Sequence, residues 1–167
     1  MKKTLLSVLI FTILVQILIP AYMIWGKYDV LKNGEEIKIK VAPIDPYDAF
    51  RGRYVSLWYD YDISYDQRQG KYGVLEIGED GYAIIKNVVK EQPKDGLYLT
   101  SKDEDYFYIP LDRYYMEETL APKAEEMLSG EKEAYVTIRI KGDKSVLSGL
   151  YIDGKPVEEI ATESNDQ

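Results

Sequence analysis

Residues 5–25 are apolar throughout except for Ser7, Thr12, Gln16 and Pro20. No other feature limits the fold as much. In hydrocarbon, every backbone N–H and C=O must find its partner inside its own segment, and a single helix of about 20 residues does so. A cleaved secretory leader has a shorter apolar stretch and a small-residue cleavage site. Here Ala21-Tyr22-Met23-Ile24-Trp25-Gly26-Lys27 follows, with no such site, and Tyr22 and Trp25 stand where interfacial aromatics belong. The reading is an uncleaved transmembrane signal anchor over 1–26. Lys2 and Lys3 precede the span and every acidic residue follows it. The positive-inside rule therefore places the N-terminus in the cytoplasm and the remainder outside, as a single-pass protein of the bacterial cell membrane.

Charge and missing residue types narrow the function. The net charge of −8 becomes −10 once Lys2 and Lys3 are set aside. A domain of that sign repels phosphate backbones, which argues against nucleic acid as a partner and against broad adhesion to anionic membrane surfaces. The chain has no cysteine and no histidine. Disulfides, thiol chemistry, His-based triads and zinc sites built on His or Cys are thereby excluded. No cofactor is expected, and the residue set argues against an enzyme.

Beyond the anchor, 27–157 has the size of one domain, and 158–167 reads as a polar, flexible tail. Most of the domain reads as strands. Ile37, Ile39 and Val41 alternate with charged residues at period two. Val55, Leu57, Tyr59, Tyr61, Ile63 and Tyr65 fall on one face of a long strand, bent near Asp60. Residues 73–77 and 82–90 flank Gly78-Glu79-Asp80-Gly81 as a hairpin, and 134–141 and 145–152 flank Gly142-Asp143 as another. Residues 97–100 and 105–109 read as short strands, and Asp153-Gly154 as a tight turn. Leu120, Ala124, Met127 and Leu128 have helical spacing, with Pro122 near the start and Gly130 past the end, giving a short helix near 121–129. The fold class is mainly β (α+β), an antiparallel barrel or sandwich with one short helix. The sixteen tyrosines suit such a fold, because Tyr favours strands and covers apolar surface while its hydroxyl stays wet.

One stretch goes beyond composition. In Pro43-Ile44-Asp45-Pro46-Tyr47-Asp48, the prolines fix φ and the aspartates accept local N–H bonds. Arg51 offers a fork suited to clamping Asp45 or Asp48, and Gly52 lets the backbone turn into the strand. The same rigidity serves a structural turn or a binding loop. Gly52-Arg53-Tyr54-Val55-Ser56-Leu57-Trp58-Tyr59 follows, and Arg113-Tyr114-Tyr115-Met116-Glu117-Glu118 comes later.

These segments resemble the GDYXXLXY proteins, in which an apolar N-terminal span and a Pro-x-Asp-Pro turn precede Gly-Asp-Tyr-x-x-Leu-x-Tyr. The resemblance runs over nearly the whole chain and includes the closing strands, Glu133–Val136 and Leu150–Pro156. It implies a membrane-anchored protein working beside multi-span membrane proteins. It marks Pro43, Asp45, Pro46, Asp48, Arg51, Gly52, Arg53, Tyr54, Leu57 and Tyr59 as motif or binding-loop residues, and Arg113, Tyr114, Glu117 and Glu118 as a second motif. Arg53 stands where the motif has aspartate, so a metal or acid role for that carboxylate is lost here. The substitution favours a role for the motif in the fold.

Other readings stay open beside this one. Type I signal peptidases are also similar in order, with an anchor followed by a β-rich domain and a lysine-bearing strand that would correspond to Lys86. Ile44-Asp45-Pro46 lacks their serine, so such a relative would be inactive. Paired carboxylates would allow an envelope hydrolase. Asp60, Asp62 and Asp66 share a strand face and are weak candidates for a cation or small-ligand sensor. The leading reading is a non-enzymatic binding or scaffold module that partners another membrane or envelope protein.

Overall fold

A computed structural model describes residues 2–42, 54–117, 120, 121, 124, 128 and 133–163. Helix α1, Lys2–Asn33, carries the apolar run with its side chains exposed, and is long and apolar enough to cross a membrane. Pro20 lies inside it. Proline lacks the N–H that would reach the Gln16 carbonyl, a defect that membrane helices tolerate.

The helix does not stop at Gly26. It continues for two more turns, and these dock on the domain. Val30 is 1 % exposed. The Asp29 carboxylate meets Lys141 Nζ at 2.7 Å, and Arg139 donates to the Gly34 carbonyl at 3.3 Å. Gly34 ends the helix, its N–H donating to Val30 O at 2.8 Å. A Cβ there would lie 2.4 Å from Val30 O and 3.0 Å from Ile140 O, so only glycine fits. Helix α1 thus runs into β1 (Glu35–Ala42) with only Gly34 between them.

The main sheet has the order β10-β9-β8-β1-β3. Its strands are β1 (Glu35–Ala42), β3 (Trp58–Tyr59), β8 (Ala134–Lys141), β9 (Lys144–Ile152) and β10 (Lys155–Pro156). All pairings are antiparallel, with Ile37 opposite Ile138 and Ile39 opposite Val136. Ile37, Ile39, Val41, Val136, Ile138 and Ile140 are buried, as the period-two pattern requires. A second sheet has the order β5-β4-β6, from β4 (Tyr72–Ile77), β5 (Ala83–Val89) and β6 (Tyr98–Thr100). β5 packs beside β1 and β6 beside β9, so apolar faces of the two sheets enclose one core. A third ladder pairs β2 (Tyr54–Ser56) with β7 (Arg113–Tyr115). The ten described strands close no barrel, and the fold is sandwich-like.

Three expectations change. The long strand through Tyr65 is instead two short ones that switch partners at Leu57, followed by a 3-10 turn at Tyr65–Arg68. The Leu57 N–H still donates to Asp112 O, one residue beyond the β2–β7 pairing, and β3 then joins β1. Residues 105–109 are not a strand beyond one bridge, Gln69 to Tyr106. Side chains take the local N–H groups there. Asp103 Oδ1 accepts from Asp105 and Tyr106, and Ser101 Oγ accepts from Asp103 and Tyr108. Finally, the described part of the expected tail, up to Glu163, is not frayed. Val157–Glu163 is a helix whose Val157 and Ala161 are fully buried. Val157, Ile160 and Ala161 supply its apolar stripe, too short to stand out against the acidic residues around it. Of the helix expected near 121–129, Ala121, Ala124 and Leu128 are described, and all three are helical and buried.

Candidate binding cleft

The two sequence motifs meet. β2 and β7 pair with Tyr54 opposite Tyr115, Val55 opposite Tyr114 and Ser56 opposite Arg113. Strand alternation then separates the motif into two faces. Val55, Leu57 and Tyr59 point inward and are buried, while Trp58 points out and is 69 % exposed. The inward residues are tied to the segment before β7. The Tyr59 hydroxyl donates to Leu111 O at 2.5 Å, and the Ile109 N–H donates to the Tyr61 hydroxyl at 3.0 Å. Burial pushes the Tyr59 phenol well above its ordinary pKa. Outside the pair, the Arg113 guanidinium lies over the Tyr54 ring at 4.8 Å, and Tyr54 and Tyr115 are 5.7 Å apart. The Tyr114 hydroxyl bonds Glu158, and burial together with that carboxylate raises its pKa. The Glu117 carbonyl accepts from the N–H groups of Leu120 and Ala121, at the start of the helical residues.

Pro43, Asp45, Pro46, Asp48, Arg51, Gly52 and Arg53 lie outside the described residues, as does Glu118. The clamp expected between Arg51 and Asp45 or Asp48 therefore falls there too.

Beside the motif strand opens a cleft of about 660 Å³, between Leu57–Tyr61, Arg68, Ser101–Asp103 and Tyr108–Pro110. At its wall the Arg68 guanidinium is enclosed by aromatic rings, 4.3 Å from the centroid of Tyr61, 5.1 Å from Tyr65 and 5.6 Å from Tyr108. Its Nε is buried and has no hydrogen-bond partner among the described residues. A guanidinium held by ring faces keeps its donors for something else. Trp58, Asp60, Lys102 and Asp103 also line the cleft. The N–H groups of Tyr106 and Asp105 hold the Asp103 carboxyl below its ordinary pKa, so it is an anion at neutral pH. The cleft combines exposed aromatic surface with charges of both signs, which suits recognition of a chain with apolar and polar groups.

Arg68 escaped the sequence reading. It sits in what looks like an ordinary turn, and Tyr108 joins it from a segment forty residues later. Local spacing carries no signal for such a cluster. Of the acidic candidates, Asp60 faces the cleft, while Asp62 and Asp66 are exposed. No group of three or more carboxylates among the described residues is placed to hold a metal ion. Lys86 pairs with Glu76 at 2.9 Å on the exposed face of β5, which is not the desolvated site a catalytic lysine needs.

The model of one protein family, described as GDYXXLXY protein, matches residues 16–150. Comparison with the curated proteins and with the solved structures finds no match.

Proposed function

The chain belongs to the GDYXXLXY family, and from that premise we propose that it is a membrane-anchored binding module without catalytic activity. Its domain lies on the extracytoplasmic side, and its cleft beside the motif strand receives a segment of another membrane or envelope protein. The observation that carries this reading is the Arg68 guanidinium, walled by Tyr61, Tyr65 and Tyr108, with a buried and unpartnered Nε. A buried donor without an acceptor costs free energy that a ligand's carbonyl or carboxylate would recover. Trp58 stands at the rim, where large exposed aromatics commonly anchor partners. Support for the fold-forming role of the motif comes from Leu57, Tyr59 and Tyr61, whose bonds all serve the 109–112 segment. The acidic net charge agrees with a protein partner better than with a polyanion.

A photo-reactive amino acid at Trp58 or Tyr108 in the full chain, irradiated in intact membranes, tests the reading. A discrete heavier adduct is expected from both positions and from neither Lys94 nor Glu79. Equal labelling at all four positions, or none at Trp58 and Tyr108, refutes it. Orientation is checked separately with a cysteine placed at Lys94. It should react with a membrane-impermeant thiol reagent in whole cells.

A further inference from the structure

A second groove lies where α1 meets the domain. Its volume is about 720 Å³, and Tyr22, Met23, Trp25 and Lys27 of α1 form one side. Lys102, Pro110 and Leu111 with the β8–β9 turn at Asp143–Ser145 form the other. The position along the helix matters. A hydrocarbon layer of about 30 Å takes about 20 helical residues, so a span starting at Leu5 reaches the interface near Trp25. Tyr22, Met23 and Trp25 are strongly exposed, as lipid-facing side chains would be. The domain loops therefore reach back along the helix to the level of the headgroups. The Lys27 ammonium lies 3.5 Å from the Ser145 carbonyl, which fixes the turn at that height.

The charges in the groove oppose the rest of the domain. Three ammonium groups, Lys27, Lys102 and Lys144, border it. Of the two carboxylates on the lining, Asp29 is already held by Lys141 and by Asn33. Asp143 is the other. No described carboxylate lies within salt-bridge distance of Lys27, Lys102 or Lys144. The groove is thus apolar along the helix and cationic at its mouth. A phospholipid has the same arrangement, acyl chains on one side of a phosphate.

We propose that this groove holds the phosphodiester headgroup of a bilayer phospholipid, with Lys27, Lys102 and Lys144 around the phosphate and the acyl chains along the Tyr22–Trp25 face. Bound lipid would brace the domain against the membrane at a set tilt and so orient the cleft beside it. The inference rests on the membrane anchor in the proposed function; Lys102 and Pro110 also border the cleft, and retained lipid reads the groove alone.

The test uses the full chain. Flotation with vesicles comes first, and a chain that fails to float overturns the anchor and the lipid site together. Purified chain is then equilibrated in detergent with equal amounts of phosphatidylglycerol and diacylglycerol bearing the same acyl chains, and retained lipid is counted by native mass spectrometry. Phospholipid should be retained and diacylglycerol not. Lys102→Ala with Lys144→Ala should lower retention roughly tenfold, and Lys94→Ala should not. Both lysines of the double variant are exposed, so folding is not at stake. Equal retention of diacylglycerol, or unchanged retention in the double variant, overturns the headgroup site while leaving the anchor intact. A second measurement avoids lipid extraction. With Trp58→Phe, Trp25 is the remaining tryptophan, and a headgroup-labelled quencher should reduce its emission less in the double variant than in the parent.

Discussion

Replacing Tyr59 with phenylalanine removes one oxygen from the buried face of the motif and leaves the ring in place. That oxygen donates to Leu111 O at 2.5 Å, and the ring is 4 % exposed. A hydrogen bond of this kind contributes about 1 kcal/mol net, and a partly buried carbonyl left without its donor adds to the loss. The expected cost is roughly 1–2 kcal/mol, or a fall in Tm of about 3–8 °C for a domain of this size. Thermal unfolding of the full chain in detergent, followed by near-UV circular dichroism, measures it. The burial of the same hydroxyl predicts a pH dependence. Burial raises the folded-state pKa of Tyr59 above its ordinary 10.0. The folded chain then keeps a proton that the unfolded chain releases above pH 10. Its contribution to stability is complete below pH 10 and is lost as pH rises toward the folded value. Parent stability should fall between pH 10 and 11 with a slope up to about 1.4 kcal/mol per pH unit from this residue, and Tyr59→Phe should remove that share. A variant as stable as the parent, with the same alkaline slope, would refute the view that the last motif tyrosine holds the fold together.

Trp58→Ala should leave stability within about 0.5 kcal/mol, because its ring is largely exposed, while abolishing the cross-linked adduct obtained from Tyr108. Gly34→Ala should destabilise by roughly 2–4 kcal/mol, since its Cβ meets the Val30 and Ile140 carbonyls and not a side chain that can move. Val30→Ala should cost roughly 1.5–3 kcal/mol and speed amide exchange over Lys27–Asn33, which reports the helix letting go of the sheet. Asp103→Ala should speed exchange at Asp105 and Tyr106, whose N–H groups its carboxylate accepts. Because those bonds lower the Asp103 pKa below 3.8, the protection they give is present above pH 3.8 and is lost as pH falls further.

Local pattern alone was enough for the long apolar helix, the inward face of β1, and the hairpins around 78–81 and 142–143. Each depends on periodicity or turn chemistry within a dozen residues. The family was legible for a similar reason, since its motifs are contiguous runs. Chain end and helix length were less legible. Val157–Glu163 offers only two turns of apolar stripe, and α1 continues past Gly26 because Val30 finds a core to enter. Its neighbours there, β8 and β9, lie more than a hundred residues away.

The sequence by itself determined that this chain carries a membrane-competent helix and an antiparallel β domain of acidic charge, and that it lacks the histidine and cysteine needed for His-based triads, thiol chemistry and zinc sites built on them. Tertiary structure alone decided that Tyr54–Ser56 would pair with Arg113–Tyr115, that Arg68 would lie among Tyr61, Tyr65 and Tyr108, and that the helix would dock beside a lysine-rimmed groove. The physical reason is one of range. Periodicity tells a side chain which face of its own element it occupies. Which distant element covers that face is set by how the whole core packs, and no local spacing encodes it.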